Sequence, residues 1–146
     1  MAIRSSRAAW QGSLPEGNGT IYIGRGAFEA PYSFASRFEE GGGTNPEELI
    51  AAAHAGCYSM AFAHGLSEAG YAPIRVETSA HVHLEKAPDG FAIPRIDLET
   101  EADVPNIDED AFQRLAETAK QDCPVSKLLG RARITLNATL LSAQRK

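Results

Sequence analysis

From Asn45 to Gly70 the chain is written as one long helix whose middle has almost no polar side. Asn45 is a capping residue type. Pro46 suits the first helical position, where no N–H is needed, and Glu48 stands three residues after the cap. The helix runs to about Glu68, and Gly70 is the stop signal. Leu49, Ile50, Ala51 to Ala53, Ala55, Met60, Ala61, Phe62 and Ala63 go right round the cylinder at helical spacing. A helix apolar on every side must be covered by a core or by another chain. In a chain of 146 residues the second cover is expected.

The rest of the sequence supplies the packing layers. Ala8 to Gln11, Thr20 to Gly24 and Tyr32 to Phe38 carry β-prone or alternating residues and read as strands. In the third, Tyr32, Phe34, Ser36 and Phe38 share one face, and Arg37 lies on the other. The glycine run in Glu39 to Thr44 is a loop. Ile74 to Glu85 alternates, Pro88-Asp89-Gly90 turns, and the chain returns to Val104 as a half-buried hairpin. Asp108 to Gln121 is an amphipathic helix with Phe112, Leu115, Ala116 and Ala119 on its apolar stripe. Cys123-Pro124 opens a short helix ending near Gly130, and Ala132 to Leu141 is a last strand. The order predicts an α+β fold over residues 1–146 as a single domain, with an antiparallel sheet around the long helix.

Several functions are disfavoured by what the sequence lacks. A net charge of −5 argues against a broad nucleic-acid face. The first residues have no apolar signal-peptide core, and the run from Leu49 to Ala63 is shorter than the ~20 residues of a membrane span. The expectation is a soluble cytoplasmic protein with no membrane partner. No Gly-x-Ser-x-Gly elbow and no phosphate-binding glycine motif is present. His81 and His83 share a strand face without a signposted third ligand, and His54 and His64 are too far apart on the helix to share a metal. No metal or organic cofactor is expected.

Two cysteines remain, Cys57 and Cys123, 66 positions apart. In a reducing compartment such a pair points to chemistry more than to a structural staple. Taken alone, Cys57 in the apolar helix is equally a small core residue. Cys123, before Pro124, is either a plain helix entry or a thiol whose thiolate the helix end favours. Glu47 and Glu48 are accounted for by the helix dipole and the cap.

Three segments together resemble the OsmC/Ohr family of osmotically inducible and organic hydroperoxide resistance proteins. They are Tyr32 to Glu39, Thr44 to Leu49 with Ala53-His54-Ala55-Gly56-Cys57, and Cys123-Pro124-Val125-Ser126. The resemblance covers nearly the whole chain and fits the OsmC branch. It implies a thiol peroxidase acting on organic hydroperoxides, and an intertwined homodimer with sheet wrapped around two buried helices. It also implies site residues: Cys57 as the peroxidatic cysteine, Cys123 as the resolving one, Glu47 as the family's carboxylate and Arg37 as its arginine. Arg4, Arg7 and Arg25 are the alternatives for the last role. The implied reductant is an external dithiol, a lipoylated protein in the related branch.

That chemistry sets physical demands. Only a thiolate attacks a peroxide, and an apolar helix pushes a thiol's pKa up. A fixed cation is therefore required beside Cys57; an arginine fork held by a carboxylate supplies one. In a continuous helix Glu47 and Cys57 are about 15 Å apart, so the expectation is that Glu47 serves the partner's site. The competing readings are a non-enzymatic redox sensor using the same pair, and a structural or ligand-binding dimer with inert cysteines.

Overall fold

The computed structural model describes residues 2–141. Its contacts divide the chain into two compact units, Met1–Leu49 and Ile50–Lys146.

In the first unit, β1 (Ser6–Gln11), β2 (Asn18–Ile23) and β3 (Phe28–Tyr32) form an antiparallel sheet in that order. The strand expected over Tyr32 to Phe38 is corrected here: β3 ends at Tyr32, and Phe34–Phe38 forms a short helix, α1. The cause is local. The Ser36 N–H donates to the Ser33 hydroxyl, and the Ser33 N–H donates to the Ser36 hydroxyl, a reciprocal cap that alternation does not reveal. Arg37 is therefore on a helical turn. After the loop, Gly43 has φ +97°, and a Cβ there would stand 2.4 Å from the Pro31 carbonyl oxygen, so only glycine fits. The adjacent Thr44 N–H donates to that same carbonyl.

Helix α2 (Pro46–Glu68) begins and ends as its sequence requires. The Asn45 Oδ1 accepts from the Glu48 N–H at 2.7 Å. At the far end Gly70 has φ +93°, its N–H donates to Ser67 O, and the Tyr71 N–H donates to Leu66 O, which closes the helix as a Schellman motif. The helix is apolar all round, yet only one line of it is buried within its own chain: His54, Tyr58, Phe62 and Leu66, at steps of four. Met60, on another face, is 77% exposed.

In the second unit the hairpin forms as expected. Strands β4 (Arg75–Ala87) and β5 (Gly90–Asp103) pair antiparallel, with an irregularity between His83 and Glu85. Helix α3 (Glu109–Asp122), capped by the Asp108 carboxylate, and α4 (Pro124–Leu128) follow. The last strand, β6 (Arg133–Leu140), lies parallel to β5, with Ile96 opposite Ile134 and Leu98 opposite Leu136. The all-antiparallel expectation is thus corrected to a mixed sheet. The α3–α4 segment is the helical crossover that carries the chain back to the starting end, as parallel neighbours require. The core is made by Tyr58, Phe62 and Leu66 of α2 against Ile96, Leu98 and Ala102 of β5, with Phe112, Ala116 and Ala119 of α3. Among the described residues no helix is long and apolar enough to cross a membrane.

Candidate active site

The four residues singled out above fall into two clusters, one in each unit. In the first unit, Arg37 and Glu47 meet. Arg37 Nε and Nη2 each donate to one carboxylate oxygen of Glu47 at 3.0 Å, a two-point fork. The local sequence arranges this. The Ser36 hydroxyl donates to Thr44 O and the Asn45 side chain donates to Ser36 O, which fastens α1 to the first turn of α2. Glu47 is buried, and the Arg37 side chain keeps about a third of its surface open. Arg37 also lines a cavity of about 370 Å³ with Trp10, Leu14 and Tyr32.

In the second unit, Cys57 and Cys123 meet. Their sulfurs are 3.1 Å apart and not joined. Cys57, on α2, is half-buried; Cys123, at the α3–α4 junction, is fully buried. The pairing arises because Cys57 precedes the buried Tyr58 by one position, while the break between α3 and α4 turns Cys123 inward. Cys57 also opens onto a cavity of about 440 Å³ lined by Met60, Ala61, Leu115, Ala119 and Pro124.

The two thiols are held differently. Burial pushes the Cys57 thiol above its ordinary pKa, and its hydrogen bond to Cys123 adds to this. Burial also acts to raise Cys123, but hydrogen bonds from Cys57, from the Ser126 N–H and hydroxyl, and from the Val125 N–H outweigh it and hold Cys123 below its ordinary value. Within this unit the negative charge of a singly ionised pair therefore rests on Cys123.

A third feature of this cluster was missed in the sequence, where His54 received no role. His54 is fully buried, and its Nε2 lies 2.7 Å from the Ser126 Oγ. Its phase with Tyr58, Phe62 and Leu66 at steps of four is the signal that places it on the inward face. The other two histidine candidates are engaged with acids of β5. His83 Nε2 is 2.8 Å from Asp97 Oδ2, and His81 Nε2 is 3.8 Å from Glu99 Oε2. Among the described residues no cluster of three metal-ligating side chains occurs.

An α+β chain with two unjoined cysteines in hydrogen-bond contact has a known family. The chain belongs to the OsmC-like proteins, whose family model matches residues 39–139. It is 46% identical to the peroxiredoxin OsmC of Escherichia coli (strain K12) over 95% of this chain and 97% of that protein. It is 35% identical to the organic hydroperoxide resistance protein of Xanthomonas axonopodis pv. citri (strain 306), over 68% of each. Among solved structures it is similar to the organic hydroperoxide resistance protein OhrB of Bacillus subtilis, with a TM-score of 0.70 and 26% identity over 95% of this chain and 99% of that one.

Proposed function

We propose that this protein is a cysteine-based peroxidase that reduces organic hydroperoxides to alcohols. The observation that carries the reading is the sulfur pair: two free thiols 3.1 Å apart, one of them facing an apolar cavity. The names of the peroxiredoxin and hydroperoxide-resistance relatives support the same chemistry.

The cycle has three steps. The Cys57 thiolate attacks the outer oxygen of the hydroperoxide; the O–O bond breaks, an alkoxide leaves and takes up a proton, and Cys57 is oxidised to a sulfenic acid. The Cys123 thiolate then attacks the Cys57 sulfur, forming the disulfide and expelling hydroxide, which leaves as water after protonation. An external dithiol reduces the disulfide by exchange and is itself oxidised. The apolar walls beside Cys57 suit a bulky apolar substituent on the peroxide.

Cys57 needs a cation, because burial and Cys123 both raise its pKa. The Arg37–Glu47 fork is the cation in this reading. Ten residues of continuous helix separate Glu47 from Cys57, about 15 Å of rise. The fork therefore serves Cys57 of a second copy, in a homodimer that also covers the exposed apolar side of α2.

Steady-state assay with cumene hydroperoxide and dihydrolipoamide tests both parts. Wild type is expected to consume many equivalents per chain. Cys57→Ser and Glu47→Ala chains, each inactive alone, are expected to regain activity when mixed, since one of the two sites in the mixed dimer is then intact. At most one equivalent consumed by wild type favours the redox-sensor reading. Turnover in wild type without recovery on mixing removes the shared site.

A further inference from the structure

We propose that His54 and Ser126 form a positioning pair for the resolving step: His54 fixes the Ser126 hydroxyl so that its proton points at the Cys123 sulfur. The inference rests on the peroxidase reading for its physiological role, though not for the contact itself.

The contacts run in one line through the second unit. His54 Nε2 meets Ser126 Oγ at 2.7 Å, the Ser126 hydroxyl bonds to Cys123, and Cys123 meets Cys57 at 3.1 Å. His54 and Cys123 are fully buried and Ser126 is 6% exposed, so water does not compete for these bonds. A hydroxyl has one proton to give. If Ser126 gives it to His54, it has none for Cys123, and the His54 Nδ1 is left as a buried N–H without a partner. If His54 donates from Nε2, the Ser126 proton is free for the sulfur, and Nδ1 is left as a bare lone pair. Nδ1 is indeed buried without a hydrogen-bond partner. Buried orphan N–H groups are rarer than under-satisfied acceptors, which selects the second arrangement. Burial also lowers the pKa of His54, which favours the neutral ring this tautomer needs.

The consequence concerns the second step only. Cys123 must attack as a thiolate, and Ser126 supplies a hydrogen bond to its negative charge. Bonds of this charge-assisted kind are among the stronger ones. Neither residue touches the peroxide or Cys57, so the first step should be indifferent to them.

Rapid-quench measurement of disulfide closure tests this. Reduced protein is oxidised either with cumene hydroperoxide or with diamide, an azo oxidant that adds to a thiolate and is then displaced by the second thiol to give the same disulfide and a hydrazide. At high oxidant the closure phase is independent of oxidant concentration. In Ser126→Ala and His54→Leu that phase is expected to slow by about 10- to 100-fold, the effect of one lost hydrogen bond to a charged group. The first, oxidant-dependent phase should be unchanged. His54→Gln, which keeps an N–H donor for Ser126, is expected to close near the wild-type rate. Closure at the wild-type rate in Ser126→Ala, or equal slowing of both phases, would overturn the proposal. Because diamide does not depend on peroxide chemistry, slowed closure with diamide and no reaction with peroxide would uphold the pair while removing the peroxidase reading.

Discussion

Replacing Cys57 by serine is expected to reduce hydroperoxide turnover to background, while Cys123→Ser consumes one equivalent per chain and then stops. The asymmetry follows from the surroundings of the two sulfurs. Cys57 is the half-buried thiol that opens onto the apolar cavity; Cys123 is fully enclosed and a peroxide cannot reach it first. A serine hydroxyl at position 57 is not ionised near neutral pH without a strong adjacent base, so no nucleophile remains. In Cys123→Ser the first step is expected to be no slower than in wild type, because the hydrogen bond to Cys123 is one of the causes that raise the Cys57 pKa. Single-turnover peroxide loss, with thiol counting, reads both variants. Rapid multiple turnover of the Cys57→Ser variant would show that Cys57 is not the nucleophile.

Phe62→Ala is expected to destabilise the protein by about 3–5 kcal/mol, the cost of a large side chain lost from a packed core. Phe62 is fully buried on α2, its ring 5.3 Å from that of Phe112 and 5.8 Å from that of Tyr58. It thus ties α2 to α3, the two helices that bring Cys57 and Cys123 together. Domains of this size have only about 5–15 kcal/mol in total, so the variant should unfold at markedly lower urea concentration. Function should suffer with it, through looser contact between the sulfurs. A loss below about 1 kcal/mol in the urea midpoint analysis would contradict the core described here, since surface changes lie in that range.

The parts of the fold that were legible in the sequence are those set by short-range signals. Asn45, Pro46 and Gly70 delimit α2, and Pro88-Asp89-Gly90 marks the hairpin turn, because capping and turn chemistry act over a few residues. What was not legible depended on partners elsewhere. Tyr32 to Phe38 alternates like a strand, but the mutual cap of Ser33 and Ser36 makes its second half helical. The direction of β6 carries no local signal; it is fixed by the crossover through α3 and α4. The spacing of Cys57 and Cys123 says nothing about their contact, and only the resemblance to a family paired them. The same holds for Arg37 and Glu47, which ordinary helix-end electrostatics explain on their own. His54 had a legible phase on the helix, yet its partner Ser126 lies 72 positions away, beyond any periodicity.

The most direct test of the cysteine-pair account needs no reductant. Reduced protein is treated with one equivalent of cumene hydroperoxide, remaining thiols are alkylated, and the peptides are identified by mass. The account requires loss of both thiols and a peptide pair joining Cys57 to Cys123 within one chain. Oxygen retained on Cys57 with Cys123 still open to alkylation, or peroxide left unconsumed with both thiols free, would contradict it.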